Sequence, residues 1–135
     1  MSAVPRPGCV LLAHAHQRLS EGLRGWLQAV FDGVFVVADQ PSLVDGARKL
    51  QPALVVIDLA LAGGELPALL AELRRQSPHS RALLISEHDD PRADASILFA
   101  GADGVVHMAT LAADLSAAVD AVLAGRRFVS PPGPH

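Results

Sequence analysis

Five short apolar runs, continuous rather than alternating, constrain this chain more than any other feature. They are "CVLLA" (9–13), "VFVVA" (34–38), "ALVVIDL" (53–59), "RALLIS" (81–86) and "GVVHM" (104–108). A strand with one wet face alternates apolar and polar residues, whereas a strand covered on both faces reads as an unbroken run. Between the runs the apolar residues recur at helical spacing. Leu19, Leu23, Leu27 and Val30 share one face, as do Leu43, Ala47 and Leu50; Leu66, Leu69, Leu70 and Leu73 form a third stripe. Ala93, Ile97 and Ala100 make a fourth, and Leu115, Ala118, Val119 and Val122 a fifth. Pro41-Ser42 opens the second helix and Pro52 closes it. Asp90 is placed to cap the fourth, with Pro91 at its first position, and Gly125 stops the last. Five strand–helix repeats predict a parallel sheet with right-handed crossovers and helices on both faces.

The 135 residues fit one domain, and half of them are hydrophobic, as a packed core requires. A net charge of −3 leaves no electrostatic footprint for nucleic acid. Cys9, the single cysteine, lies in a predicted buried strand, which predicts a reduced, structural thiol. No apolar run approaches the roughly 18 residues needed to span a membrane, and "MSAVPRPGCV" lacks a signal-peptide core. A cytoplasmic protein without membrane contact is expected. Residues 1–7 read as a lead-in, 8–128 as the domain, and 129–135, with "VSPPGPH", as a linker stub or C-terminal tail.

In such a sheet the site lies at the carboxyl ends of the strands, near the point where strand order reverses. Those ends carry His14-Ala15, Asp58, Ser86 and His107-Met108. Asp58 closes an apolar run, a costly place for a carboxylate unless its head reaches the strand end; it either carries chemistry or merely caps the following loop. "LALAGGELP" after it turns sharply at two glycines, which either cradle an anion or simply turn the chain.

These segments resemble the receiver domain of response regulators, of the NarL/FixJ type that precedes a LuxR-like DNA-binding domain. "VLLAHAHQRLSEGLRGWL" resembles the family's opening strand and helix, and "PALVVIDLALAGGELPALLAELR" its phosphoacceptor strand and next helix. "ALLISEHDD", "GADGVV" and "AVLAGRRFVSP" follow in the family's order, so the likeness covers roughly residues 8–131. The resemblance implies an α/β, doubly wound three-layer sandwich of the flavodoxin-like, CheY-like kind, with a five-stranded parallel sheet in the order 2-1-3-4-5 and five helices. It implies that Asp58 is the phosphoacceptor equivalent and Ser86 the switch hydroxyl. It also shows departures. His14 and Ala15 stand where the family has a Mg²⁺-ligating acidic pair, Met108 where it has a lysine, Val105 where it has the switch aromatic, and Ala62 where a proline is usual.

Mg²⁺ binds through carboxylates, waters and phosphate in near-ideal octahedra, and imidazole suits it poorly. Phosphoryl transfer depends on cationic groups at the moving oxygens, and losing one such donor costs roughly 3–4 kcal/mol. The expectation is therefore a degenerate receiver, not an enzyme, with Mg²⁺ binding lost and no other metal or cofactor. Its output is expected to run through dimerisation or the binding of a partner or ligand. The competing readings are a conventional receiver phosphorylated at Asp58 by a histidine kinase, and a pseudo-receiver sensing a small molecule at the emptied site.

Other residues carry paired readings. His14 either pairs with Asp58 or is a solvated turn residue; His14 and His16, two apart, are poorly disposed to share a metal. His88-Asp89-Asp90 offers metal ligands, though capping by Asp90 accounts for most of it. Trp26, at the margin of its helix stripe, is core or a partner anchor. A homodimer through the alanine-rich fifth helix is expected, with a histidine kinase or other signalling protein as a further partner and DNA reached only through a separate domain.

Overall fold

The computed structural model describes residues 6–14 and 17–131; Ala15 and His16 lie outside the described residues. Strands β1 (Arg6–Ala13), β2 (Phe31–Val37), β3 (Leu54–Asp58), β4 (Arg81–Ser86), β5 (Gly104–His107) and β6 (Phe128–Val129) form one sheet. Their order is β2-β1-β3-β4-β5-β6, and every pairing is parallel. Helices α1 (Gln17–Val30), α2 (Gln40–Leu50), α3 (Leu59–Ala62), α4 (Leu66–Gln76), α5 (Pro91–Phe99) and α6 (Leu111–Leu123) connect them, with a 3₁₀ turn at Met108–Thr110.

The doubly wound α/β sandwich and the order of the first five strands match the expectation, and two elements are added to it. Among the described residues the sheet has a sixth strand, and the helices number six. β6 escapes a reading by pattern because two residues show no periodicity. It forms because Phe128 and Val129 pair with Gly104 and Val105 at the open edge of β5. α3 falls inside "LALAGG", where four residues between an aspartate and two glycines read as loop. Asp58 caps it, its Oδ1 accepting from the Ala60 N–H at 3.1 Å. Gly63 and Gly64 follow with φ of 57° and 85°, a left-handed pair that turns the chain from α3 into α4. β1 begins at Arg6, and the chain stays packed as far as Ser130, which is buried.

Alternate residues of β1, β3, β4 and β5 face opposite layers, which is why those runs are apolar throughout, whereas the run of edge strand β2 leaves Phe35 and Val36 exposed. Leu11, Val55, Ile57, Leu84 and Val105 pack with α2, α4 and α5. Val10, Leu12, Val56, Leu83, Ile85 and Val106 pack with Leu23 and Leu27 of α1 and Leu115, Val119 and Val122 of α6. Gly104 lets α6 settle onto β5, since a Cβ there would stand 2.8 Å from Val122 and 3.0 Å from Leu83. Caps fix the helix starts on the site side. Asp39 accepts from Ser42 N at 2.8 Å to open α2, and Asp90 from Arg92 N at 3.0 Å to open α5.

Candidate functional site

The carboxyl ends of β1, β3, β4 and β5 form one rim. His14 follows β1, its backbone N–H donating to Val37 O at 3.2 Å and so extending the ladder by one residue. Its imidazole is buried, at 9% exposure, and Nδ1 has no hydrogen-bond partner. Asp58 ends β3 at 1% exposure. Oδ1 caps α3, while Oδ2 is buried without a hydrogen-bond partner. The register sets Ala13 beside Ile57, which makes His14 and Asp58 neighbours in the sheet. Nevertheless, among the described residues no hydrogen bond or ion pair joins them. Neither alternative for His14 holds: it is not paired with Asp58 and not solvated. Capping draws one carboxylate oxygen forward into α3, and the ladder holds His14 in line with β1.

Ser86, fully buried at the end of β4, spends its hydroxyl on its own loop, where it accepts from the His88 N–H at 3.1 Å. Val105 is buried in the core layer beneath α5. Met108 opens the 3₁₀ turn and packs, partly buried, with the α1/α6 core layer. It lines an apolar groove of about 460 Å³ with Trp26, Leu111 and Leu115. Ala62 is buried at the end of α3. Ala15, expected at the second acidic-pair position, lies outside the described residues. His14, Asp58 and Ser86 therefore bring one imidazole, one carboxylate and one hydroxyl to the ends of β1, β3 and β4.

No family model matches the chain. The transcriptional activator protein ExaE of Pseudomonas putida is 30% identical over 126 residues, which are 91% of this chain and 58% of that protein. The chain thus spans under two thirds of that relative's length. A LuxR-family two-component response regulator from Aurantimonas sp. SI85-9A1 superposes with a TM-score of 0.81 at 27% identity, over 93% of this chain and 91% of that one. The chain has the fold of a response-regulator receiver domain. The isolated receiver domain of RcsB from Salmonella enterica serovar Typhimurium, solved with the phosphomimetic BeF₃⁻, shares the fold. Its TM-score is 0.77 at 21% identity, over 94% of this chain and 96% of that one.

Within this fold a second polar cluster lies at the end of β5, and its connections are not legible in the sequence. His107, 3% exposed, holds both carboxylate oxygens of Asp94 at 3.1 and 2.9 Å from Nε2. The His107 N–H donates to Ser130 Oγ at 3.0 Å, and Ser130 Oγ donates to Asp114 Oδ2 at 2.8 Å. Thr110 Oγ1 donates to the same oxygen at 2.6 Å. The available signal is a histidine closing the apolar run "GVVH"; its partners lie 13 to 23 residues away, beyond any local pattern.

Proposed function

We propose that this chain is the regulatory receiver of a LuxR-type transcriptional regulator whose state is not set by Mg²⁺-dependent phosphorylation of Asp58. The observation that carries the reading is the donor set of the rim. Asp58 keeps one free carboxylate oxygen, since Oδ1 is engaged at α3. His14 sets a buried imidazole where a hard cation would need oxygen. Met108 supplies no charge to draw a phosphoryl group. This set does not fit Mg²⁺, which takes carboxylate, water and phosphate oxygens in a near-ideal octahedron. Ser86 and Val105 bear on the switch: the hydroxyl is committed to its loop, and the valine has no polar head to couple to it.

In this reading the domain signals by association and is not an enzyme. The partner we favour is a second copy docking through α6. Its apolar groove against α1, lined by Trp26, Met108, Leu111 and Leu115, supplies a surface, and its alanines permit close helix approach. A DNA-binding domain would be a separate unit, and cytoplasmic residence belongs to the same reading. No helix among the described residues is long and apolar enough to cross a membrane.

One observation favours a ligand-sensing variant as the second reading. His14 Nδ1 and Asp58 Oδ2 are two buried, unpartnered polar atoms on adjacent strand ends, such as a small hydrogen-bonding guest would satisfy. Incubation with acetyl phosphate and Mg²⁺, followed by intact mass spectrometry, tests the main reading. Unmodified protein is expected. An aspartyl phosphate mapped to Asp58 would overturn it in favour of a conventional receiver.

A further inference from the structure

The cluster at the end of β5 has a feature that its structural role leaves unexplained. A carboxylate only accepts hydrogen bonds, so the contact with Asp94 places a proton on His107 Nε2. In the neutral ring Nδ1 then presents a lone pair, and this atom is buried with no hydrogen-bond partner. The nearest carboxylate oxygen, Asp89 Oδ1, stands 3.7 Å away, beyond hydrogen-bonding range. His107 and Asp89 both line a cleft of about 270 Å³ between α5 and β6, walled by Pro91, Leu98 and Val129. An imidazole and a carboxylate thus border one space, with Nδ1 and Oδ1 3.7 Å apart.

We propose that His107 Nδ1 and Asp89 Oδ1 bind a borderline divalent transition ion, of which Zn²⁺ is the natural probe, with Asp94 as the positioning residue. Ligands held roughly 2.0–2.2 Å from a tetrahedral ion stand roughly 3.3 Å apart, so the gap closes with a shift of a few tenths of an ångström. A metal-bound imidazole commonly donates its far N–H to a carboxylate, which fixes the tautomer and raises the basicity of the ligating nitrogen. Asp94 makes that bond to His107. Imidazole nitrogen with carboxylate oxygen selects Zn²⁺, Co²⁺, Ni²⁺ or Cu²⁺ over Mg²⁺ and Ca²⁺. The positive end of α5 would oppose a cation, but Asp90 already caps that end with its carboxylate. No group of three ligating side chains is present among the described residues, so this is an open site in which water or an added ligand completes the shell. Loading it would tie the loop ahead of α5 to the end of β5, beside Ser130, where the chain leaves the sheet.

Zn²⁺ titrated into the ¹⁵N-labelled 135-residue chain, with imidazole nitrogens followed by long-range ¹H–¹⁵N spectra, tests this. The expected result is saturable uptake of one ion that moves the His107 Nδ1 resonance while Nε2 stays protonated. Asp89 is exposed, and Asp89→Asn leaves the His107–Asp94 pair intact; it should weaken binding at least about tenfold, and Asp94→Asn by about 10- to 100-fold. Because the chain has six histidines, saturation without a shift at His107 would mean binding elsewhere and would overturn the proposal. So would equal affinity in Asp89→Asn, or no uptake at millimolar Zn²⁺.

Discussion

Two polar sites share one rim of the sheet and are built on opposite terms. At the ends of β1 and β3, His14 and Asp58 are neighbours in register, yet each leaves a buried atom without a hydrogen-bond partner. At the end of β5, His107, Asp94, Ser130, Asp114 and Thr110 form a continuous chain of hydrogen bonds, with only His107 Nδ1 left over. Buried polar groups stabilise a fold when satisfied and cost it when not. By that rule the first site costs the domain stability, while the second ties α5, β6 and α6 together. Here the polar architecture is densest at β5.

The contrast can be broken by mutation, and the largest effect belongs to β5. His107→Ala strands the Asp94 carboxylate at 8% side-chain exposure, and leaving a buried acceptor without its donor costs about 1–3 kcal/mol, more for a charged one. Urea unfolding should show this loss, and a change below about 1 kcal/mol would show that the pair is not load-sharing. Ser130→Ala removes one acceptor from the His107 N–H and one donor from Asp114, which keeps Thr110. A loss of about 1–3 kcal/mol is expected, together with faster hydrogen exchange along β6. At β3 the sign should reverse. Asp58→Asn keeps the acceptor for Ala60 N and deletes an unpaired buried charge, so thermal unfolding should show a gain of about 1 kcal/mol. A loss there would mean that Asp58 has a stabilising partner in solution.

Asp39, exposed on the same rim after β2, sharpens the contrast with the smallest effect. The Ser42 backbone N–H, and then its hydroxyl, hold the Asp39 carboxyl below the ordinary aspartate value. Ionised Asp39 is thus favoured in the folded state. Its contribution is present above the unfolded-state value and fades as pH falls through the lower folded-state value. Carboxyl ¹³C shifts followed during acidification should show Asp39 titrating below a free aspartate, and an ordinary midpoint would remove the cap from the account.

Much of the fold was legible because its signals are local. Continuous apolar runs marked five strands, and Asp90-Pro91 and Gly125 marked helix ends at which the structure agrees. β6 was hidden because Phe128-Val129 becomes a strand only by pairing with β5, and α3 because four residues show no period. The residue types of the strand-end rim could be read off by position. Their environment could not, since the burial of His14 depends on how β1, β2 and β3 close around it. The His107–Asp94 pair depends on where α5 crosses β5. Neither geometry has a sequence period.

The central claim is that the strand-end rim no longer holds Mg²⁺, and a Mg²⁺ titration followed by amide shifts around Asp58 tests it most directly. It is run on the unmodified chain and on the triple substitution His14→Asp, Ala15→Asp, Met108→Lys. The unmodified chain should show no saturable shifts at millimolar Mg²⁺, whereas the substituted chain, given two carboxylate ligands and a phosphate counter-charge, should bind. Saturable millimolar binding by the unmodified chain, centred on Asp58, would contradict the account whatever the substituted chain does.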